Sequence, residues 1–232
     1  MKKGDLRKKE IIQTAETLFC QRGYEQTSIQ DILDQLKTSK GSFYHHFISK
    51  DALLVAICSK RAEQNLESAL SISGEKLNAS QKLDRLLTGM IPLHDKQLSF
   101  ILMLLPIFTL PEGKTFKSSY CDSLENAFHS SISDVISEGI KSGEMFCTDP
   151  DLYAQMVILL TNRLWISICE IIVENETAQK ETDLNELLYI TDQYRSAVER
   201  MLSISYGSVI IISIPMLKGI IDQIHVHWNT KA

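Results

Sequence analysis

The sequence predicts an all-α protein in two parts, an N-terminal three-helix domain of helix-turn-helix type and a larger C-terminal helical bundle. Three observations carry that prediction. Ile29, Ile32, Leu33 and Leu36 fall at i, i+3, i+4 and i+7, a single apolar stripe along one short helix. After a break at Lys37 and Thr38, a second short segment places Phe43 and Phe47 four residues apart on one face. From about residue 80 to Leu202 the apolar spacing stays helical, and no alternating strand pattern appears.

The first helix runs from about Leu6 to Arg22, with Ile11, Ile12, Ala15, Leu18 and Phe19 turned inward and Gly23 ending it. Thr27 and Gln30 make a T-x-x-Q capping box at the start of the second helix. Ser39 caps the third, spanning 39–46. Its back carries Phe43 and Phe47, whereas its front shows Lys40, Gly41, Ser42, Tyr44, His45 and His46, all small or able to donate. An apolar back and a donor-rich front suit a helix that enters a DNA major groove. Two adjacent histidines on so short a helix cannot both face the groove.

A fourth helix over 49–71 connects the parts. The expected organisation is a helix-turn-helix domain over 1–48, a connector helix over 49–72, and a helical bundle over 73–232. Bundle helices are expected near 80–92, 95–109, 115–142, 150–175 and 183–202, separated by Pro92, Pro111-Glu112-Gly113, Gly143 to Pro150, and the polar stretch Glu174–Thr182. The last two carry apolar stripes wider than one internal contact needs, including Leu152, Met156 and Leu159 on one and Leu187, Tyr194 and Val198 on the other. In the tail, Ser208–Ser213 is β-branched and reads as extended. Pro215 suits the first turn of a short helix ending near Ile224.

Net charge is −5 over 232 residues. Residues 1–50 hold 9 basic and 6 acidic side chains, so +3, which leaves −8 for the remainder. A basic end on an acidic body is the asymmetry of a chain that meets phosphate at one end. The longest apolar runs, around Phe100–Phe108 and Val209–Leu217, are too short to span a bilayer, and the N-terminus lacks a signal-peptide core. Five scattered cysteines, with no C-x-x-C pair, read as reduced cytoplasmic usage. His225 and His227 supply two metal ligands at most, so neither a metal nor a cofactor is expected. No phosphate-binding glycine loop or nucleophile elbow points to an enzyme.

Ala15, Leu18, Phe19, Gly23, Tyr24, Thr27, Ile32, Ser39, Gly41, Phe43, Tyr44, Phe47, Lys50 and Leu53, with the run Ser39–Phe47 followed by Ser49-Lys50, resemble the DNA-binding domain of the TetR/AcrR family of bacterial transcription regulators. The resemblance covers about the first fifth of the chain. It implies a homodimeric, ligand-responsive repressor on a palindromic double-stranded operator. Tyr44, His45 and Lys50 would meet phosphates, Thr27 and the start of the second helix would form a further anion site, and Thr38, Ser39, Lys40, Gly41 and Ser42 would approach base edges. His46 would share that face or pack on the connector. Leu36 and Lys37 stand where the family commonly has alanine and glycine. The two striped helices would pair with their copies. Phe100, Met103, Leu104, Phe108, Tyr120, Asn162, Trp165 and Cys169 would line an inducer pocket for a hydrophobic or cationic compound. The alternative is a DNA-binding adaptor controlled by a protein partner.

Overall fold

The computed structural model describes residues 3–71, 76–92, 102 and 113–229, and every regular element among the described residues is an α-helix. In chain order these are α1 (Lys3–Arg22), α2 (Ile29–Leu36), α3 (Lys40–Tyr44), α4 (Lys50–Leu70), α5 (Ala79–Met90), α6 (Gly113–Ser142), α7 (Pro150–Thr177), α8 (Leu184–Met201) and α9 (Ile214–Asn229). The helix expected over 95–109 lies outside the described residues, residue 102 excepted. The chain forms two compact units, residues 1–61 with 99–123, and residues 62–98 with 124–232.

In the first unit, α1 turns Ile11, Ala15 and Phe19 fully inward, and α2 adds Ile32 and Leu33. Gly23 ends α1 with φ +90, a conformation open to glycine and strained for most other residues. The capping box of α2 is Ser28 with Asp31, one residue on from the expected Thr27 and Gln30. Burial decides between the two candidates. Thr27 has no exposed surface and its hydroxyl donates to the Gly23 carbonyl at 2.8 Å, so the side chain cannot also cap α2. Glu16 on α1 meets Arg61 at 2.7 Å and Lys60 at 3.0 Å on α4, and this cluster, with Glu16 and Arg61 buried, ties the two helices.

In the second unit, α7 packs on α8, and α9 lies against both. Asp149 caps α7 by accepting from the N–H groups of Asp151 and Leu152, with Pro150 at the first turn. By length and composition α7 is apolar enough to cross a bilayer, which the reading of apolar runs overlooked. Yet 61% of its most apolar stretch is buried inside the protein, as in the central helix of a bundle. Residues 208–213, expected to be extended, form no strand. Ile211 takes φ +62, and Asp84 on α5 accepts from the N–H groups of Ile210 and Ile211 at 2.5 and 2.8 Å. Those bonds to α5 replace the strand partners that an extended segment would need. The tail helix α9 starts beside Pro215 as predicted, but runs past Ile224 to Asn229.

Candidate functional site

The helix α3 is short and asymmetric. Ser39 caps it, its hydroxyl accepting from the Ser42 N–H at 3.3 Å, as the sequence suggests. Regular helix covers Lys40–Tyr44, shorter than the expected 39–46, although the Phe47 N–H still reaches the Phe43 carbonyl at 2.9 Å. Phe43 and Phe47 are buried, with ring centroids 5.9 Å apart. Burying two such side chains stabilises the docking of α3 by roughly 2–3 kcal/mol each. The opposite face is open: Ser39, Lys40, Gly41, Tyr44 and His45 are exposed, and Thr38 and Ser42 are half-buried. Tyr44 is 53% exposed and touches only the edge of Phe43 among aromatic neighbours.

Gly41 is informative because the fold does not require it. Its backbone is not in the left-handed region, and a Cβ there would meet nothing nearer than the Ser39 hydroxyl at 3.9 Å. Any residue would fit the chain itself. A missing side chain on an open helix face, between Lys40 and Ser42, leaves room for a partner's backbone or base edge to approach.

Three of the expected DNA contacts are placed differently. Thr27 is buried and bonded to main-chain carbonyls, so its side chain is no phosphate ligand. Lys50 is half-buried; its Nζ donates to the carbonyls of Tyr24 at 2.8 Å and Thr27 at 3.1 Å and lies 4.0 Å from the Tyr24 ring centroid. Its ammonium is committed chiefly to holding the α1–α2 turn on α4. His46 is half-buried beside the start of α1, whereas His45 is exposed, which settles which histidine is turned to solvent. Burial, followed by the charges of His45, Lys8 and Arg7, holds the His46 imidazole below its ordinary range.

Tyr24, which the sequence singles out only through the family resemblance, is the organising residue here. It packs edge-on against Phe19 at 5.0 Å, donates its hydroxyl to the Asp51 carboxylate, and receives Lys50 on its ring. Burial, then the Asp51 hydrogen bond, push the phenol well above its usual range, so it is a donor at every physiological pH. Lys37 ends α2 with φ 49 and ψ 50, the left-handed cap where the resemblance has glycine. Its N–H and that of Thr38 satisfy the carbonyls of Asp34 and Leu33 at 3.2 and 3.0 Å, so the tight turn survives a lysine.

Four of the eight expected inducer residues lie among the described residues. Phe100, Met103, Leu104 and Phe108 lie outside the described residues. Tyr120 falls in the first unit, and Asn162, Trp165 and Cys169 in the second. Those three are buried, and the Trp165 indole donates to the Asn162 amide oxygen at 3.2 Å, a pair satisfied from within its own helix. Of the expected dimer residues, Leu152, Met156 and Leu159 form an exposed apolar stripe on α7, with Leu159 70% exposed. Leu187 and Val198 are fully buried in their own subunit and are withdrawn from that surface; Tyr194 is half-buried. Tyr189, 66% exposed on α8, is a further apolar outward residue. Cys58 is buried and Cys20 partly so, and burial raises both thiols, which disfavours the reactive thiolate. No cluster of three or more potential metal ligands occurs among the described residues.

The family model for bacterial regulatory proteins of the tetR family matches residues 11–57, the stretch that builds α1 to the start of α4. Its N-terminal domain is of the tetR-family type. An uncharacterized HTH-type transcriptional regulator of Bacillus subtilis, YuxN, is 42% identical over 66 residues, 28% of this chain and 23% of the relative. A second Bacillus subtilis relative, YerO, is 29% identical over 116 residues, so the chain spans about a quarter to two fifths of these two relatives. The transcriptional repressor KstR2 of Rhodococcus jostii is 26% identical over 163 residues, 70% of this chain and 78% of the relative. Among solved structures, a protein of Saccharomonospora viridis described as a transcriptional regulator, in complex with choline, superposes with a TM-score of 0.53 at 22% identity. That match covers 84% of this chain and 96% of the other. It places this chain in the same fold.

Proposed function

We propose that this chain is a homodimeric TetR-family repressor that binds a two-fold-symmetric DNA operator and is released from it by a small-molecule ligand. The open face of α3, with a glycine the fold does not need, is the observation that supports DNA reading. Lys40, Gly41 and Ser42 lie where base edges would be reached, Tyr44 and His45 would meet phosphates, and Thr38 and Ser39 would lie at the leading end of the helix. Lys50 acts behind this face, by fixing the turn that positions it.

The exposed stripe of Leu152, Met156 and Leu159, with Tyr189, supports pairing with a second copy, since apolar side chains in helical register favour burial. Two copies would place two α3 helices in successive major grooves, about 34 Å apart, and so demand an inverted repeat. Ligand control requires the ligand to prefer the conformation that cannot bind DNA; equal affinity for both would shift nothing. Sedimentation of the purified protein tests the assembly. A dimer in solution that Leu159→Asp converts to a monomer, with loss of tight DNA binding, is the expected result. A native monomer that still binds DNA tightly would overturn the dimeric reading.

A further inference from the structure

A cavity of about 680 Å³ opens in the second unit, walled by α4, α5 and the loop after α8, and none of the described residues expected to hold an inducer lines it. That volume is within the range of small-molecule sites. Asn65 of α4 lines it, is only 3% exposed, and its amide Nδ2 has no hydrogen-bond partner. A buried amide donor without an acceptor is costly, and a ligand oxygen would relieve that cost.

The charge of the wall points to which oxygen. Arg85 lines the cavity and brings a guanidinium, a fixed positive charge with five N–H donors, to its wall. The acid in the wall, Asp84, is already occupied at Oδ1 by the N–H groups of Ile210 and Ile211. A smaller cavity of about 210 Å³ shares Ala69, Leu77 and Arg85 with the first and continues along Leu70, Leu86 and Val135, an apolar extension with Arg85 at its junction. The tail closes one side. Ile210 lines the cavity, and its neighbour Ile211, a β-branched residue at φ +62, is held there by α5, its carbonyl accepting from Thr88 at 3.0 Å.

We propose that this cavity binds a small amphiphile through a carboxylate end, which accepts from Asn65 Nδ2 and Arg85 while the apolar body follows Ala69 and Leu77. The proposal deepens the ligand-responsive reading, and it departs from the hydrophobic or cationic compound that the sequence suggested. Its occupancy is independent of DNA.

The test is thermal unfolding of the full chain without DNA, with decanoate below its micelle threshold and with decylamine, which has the same tail and the opposite head. Decanoate is expected to raise Tm by several degrees, with at most a small effect of decylamine. Asn65→Leu keeps the branched shape and the number of side-chain heavy atoms and removes the orphan donor, so it is expected to raise the Tm of the free protein and cut the decanoate shift to less than half. No decanoate shift, an equal decylamine shift, or an undiminished shift in Asn65→Leu would overturn the site. If Asn65→Leu does not fold, the two probes on the native chain still decide it. Failure here leaves DNA binding untouched, and failure to bind DNA leaves this site untouched.

Discussion

Lys50 closes over Tyr24: its ammonium stands 4.0 Å from the ring centroid while donating to the Tyr24 carbonyl at 2.8 Å. A cation that looks like a surface phosphate ligand is thereby a staple between the α1–α2 turn and the first turn of α4. Lys50→Met keeps the stem and removes the donors. Leaving two part-buried carbonyls unpaired should cost about 1–3 kcal/mol in urea-induced unfolding. Tyr24→Phe, which removes the hydroxyl given to Asp51, should cost about 1 kcal/mol. Unchanged stability of Lys50→Met, with DNA affinity alone reduced, would return Lys50 to the DNA face.

Gly41→Ala separates fold from function. With no neighbour for the new methyl nearer than the Ser39 hydroxyl, the variant should fold normally and gain about 0.5 kcal/mol from helix propensity. If the α3 face meets DNA closely at this point, operator affinity should fall by about tenfold or more, equivalent to 1.4 kcal/mol. Parallel thermal unfolding and fluorescence anisotropy check both halves. Gained stability with undiminished DNA affinity would place the close approach elsewhere.

His46 predicts an acid-sensitive domain. Its folded pKa lies below the unfolded value of about 6.5 because burial, then His45, Lys8 and Arg7, disfavour its charged form. Above about pH 6.5 both states are neutral and nothing is lost. As pH falls below that value the unfolded chain takes up the proton first, so stability declines until pH passes the folded pKa. His46→Gln should flatten the Tm-against-pH curve between about pH 7 and 5. An identical slope in the variant would assign the acid sensitivity to another group.

Much of the first unit was legible from sequence because its signals are local. The spacing of Ile29, Ile32, Leu33 and Leu36, the Phe43–Phe47 pair, Ser39 as cap and Gly23 as stop all depend on neighbours within a turn or two. What failed was decided by distant contacts. Thr27 and Ser28 are equally able to cap α2, and only the fold of α1 beneath them buries the first and leaves the second free. Lys50 reads as a surface cation until Tyr24, 26 positions earlier, is brought under it.

The second unit shows the same limit at larger scale. Apolar stripes on α7 and α8 look alike whether they face their own subunit or a partner. Folding alone separates exposed Leu159 from buried Leu187 and Val198. Over Ser208–Ser213 a run of isoleucine and valine favours extended backbone by local preference. Two hydrogen bonds to α5, from the Ile211 N–H to Asp84 and from the Thr88 hydroxyl to the Ile211 carbonyl, override it and hold Ile211 in a left-handed turn. Asn65, in the middle of α4, carries no sequence signal of a binding role; its orphan amide emerges only once α4 and α5 pack.

The central claim is that two copies of Lys40–Tyr44 read a symmetric DNA site. Selection of the purified protein against randomised duplex DNA at near-physiological salt tests it most directly. The account predicts enrichment of one inverted repeat, with half-site centres about one helical turn apart, or roughly 10 base pairs. Salt-sensitive binding with no enriched sequence would contradict it, because the electrostatic attraction of phosphates alone would then explain all the affinity.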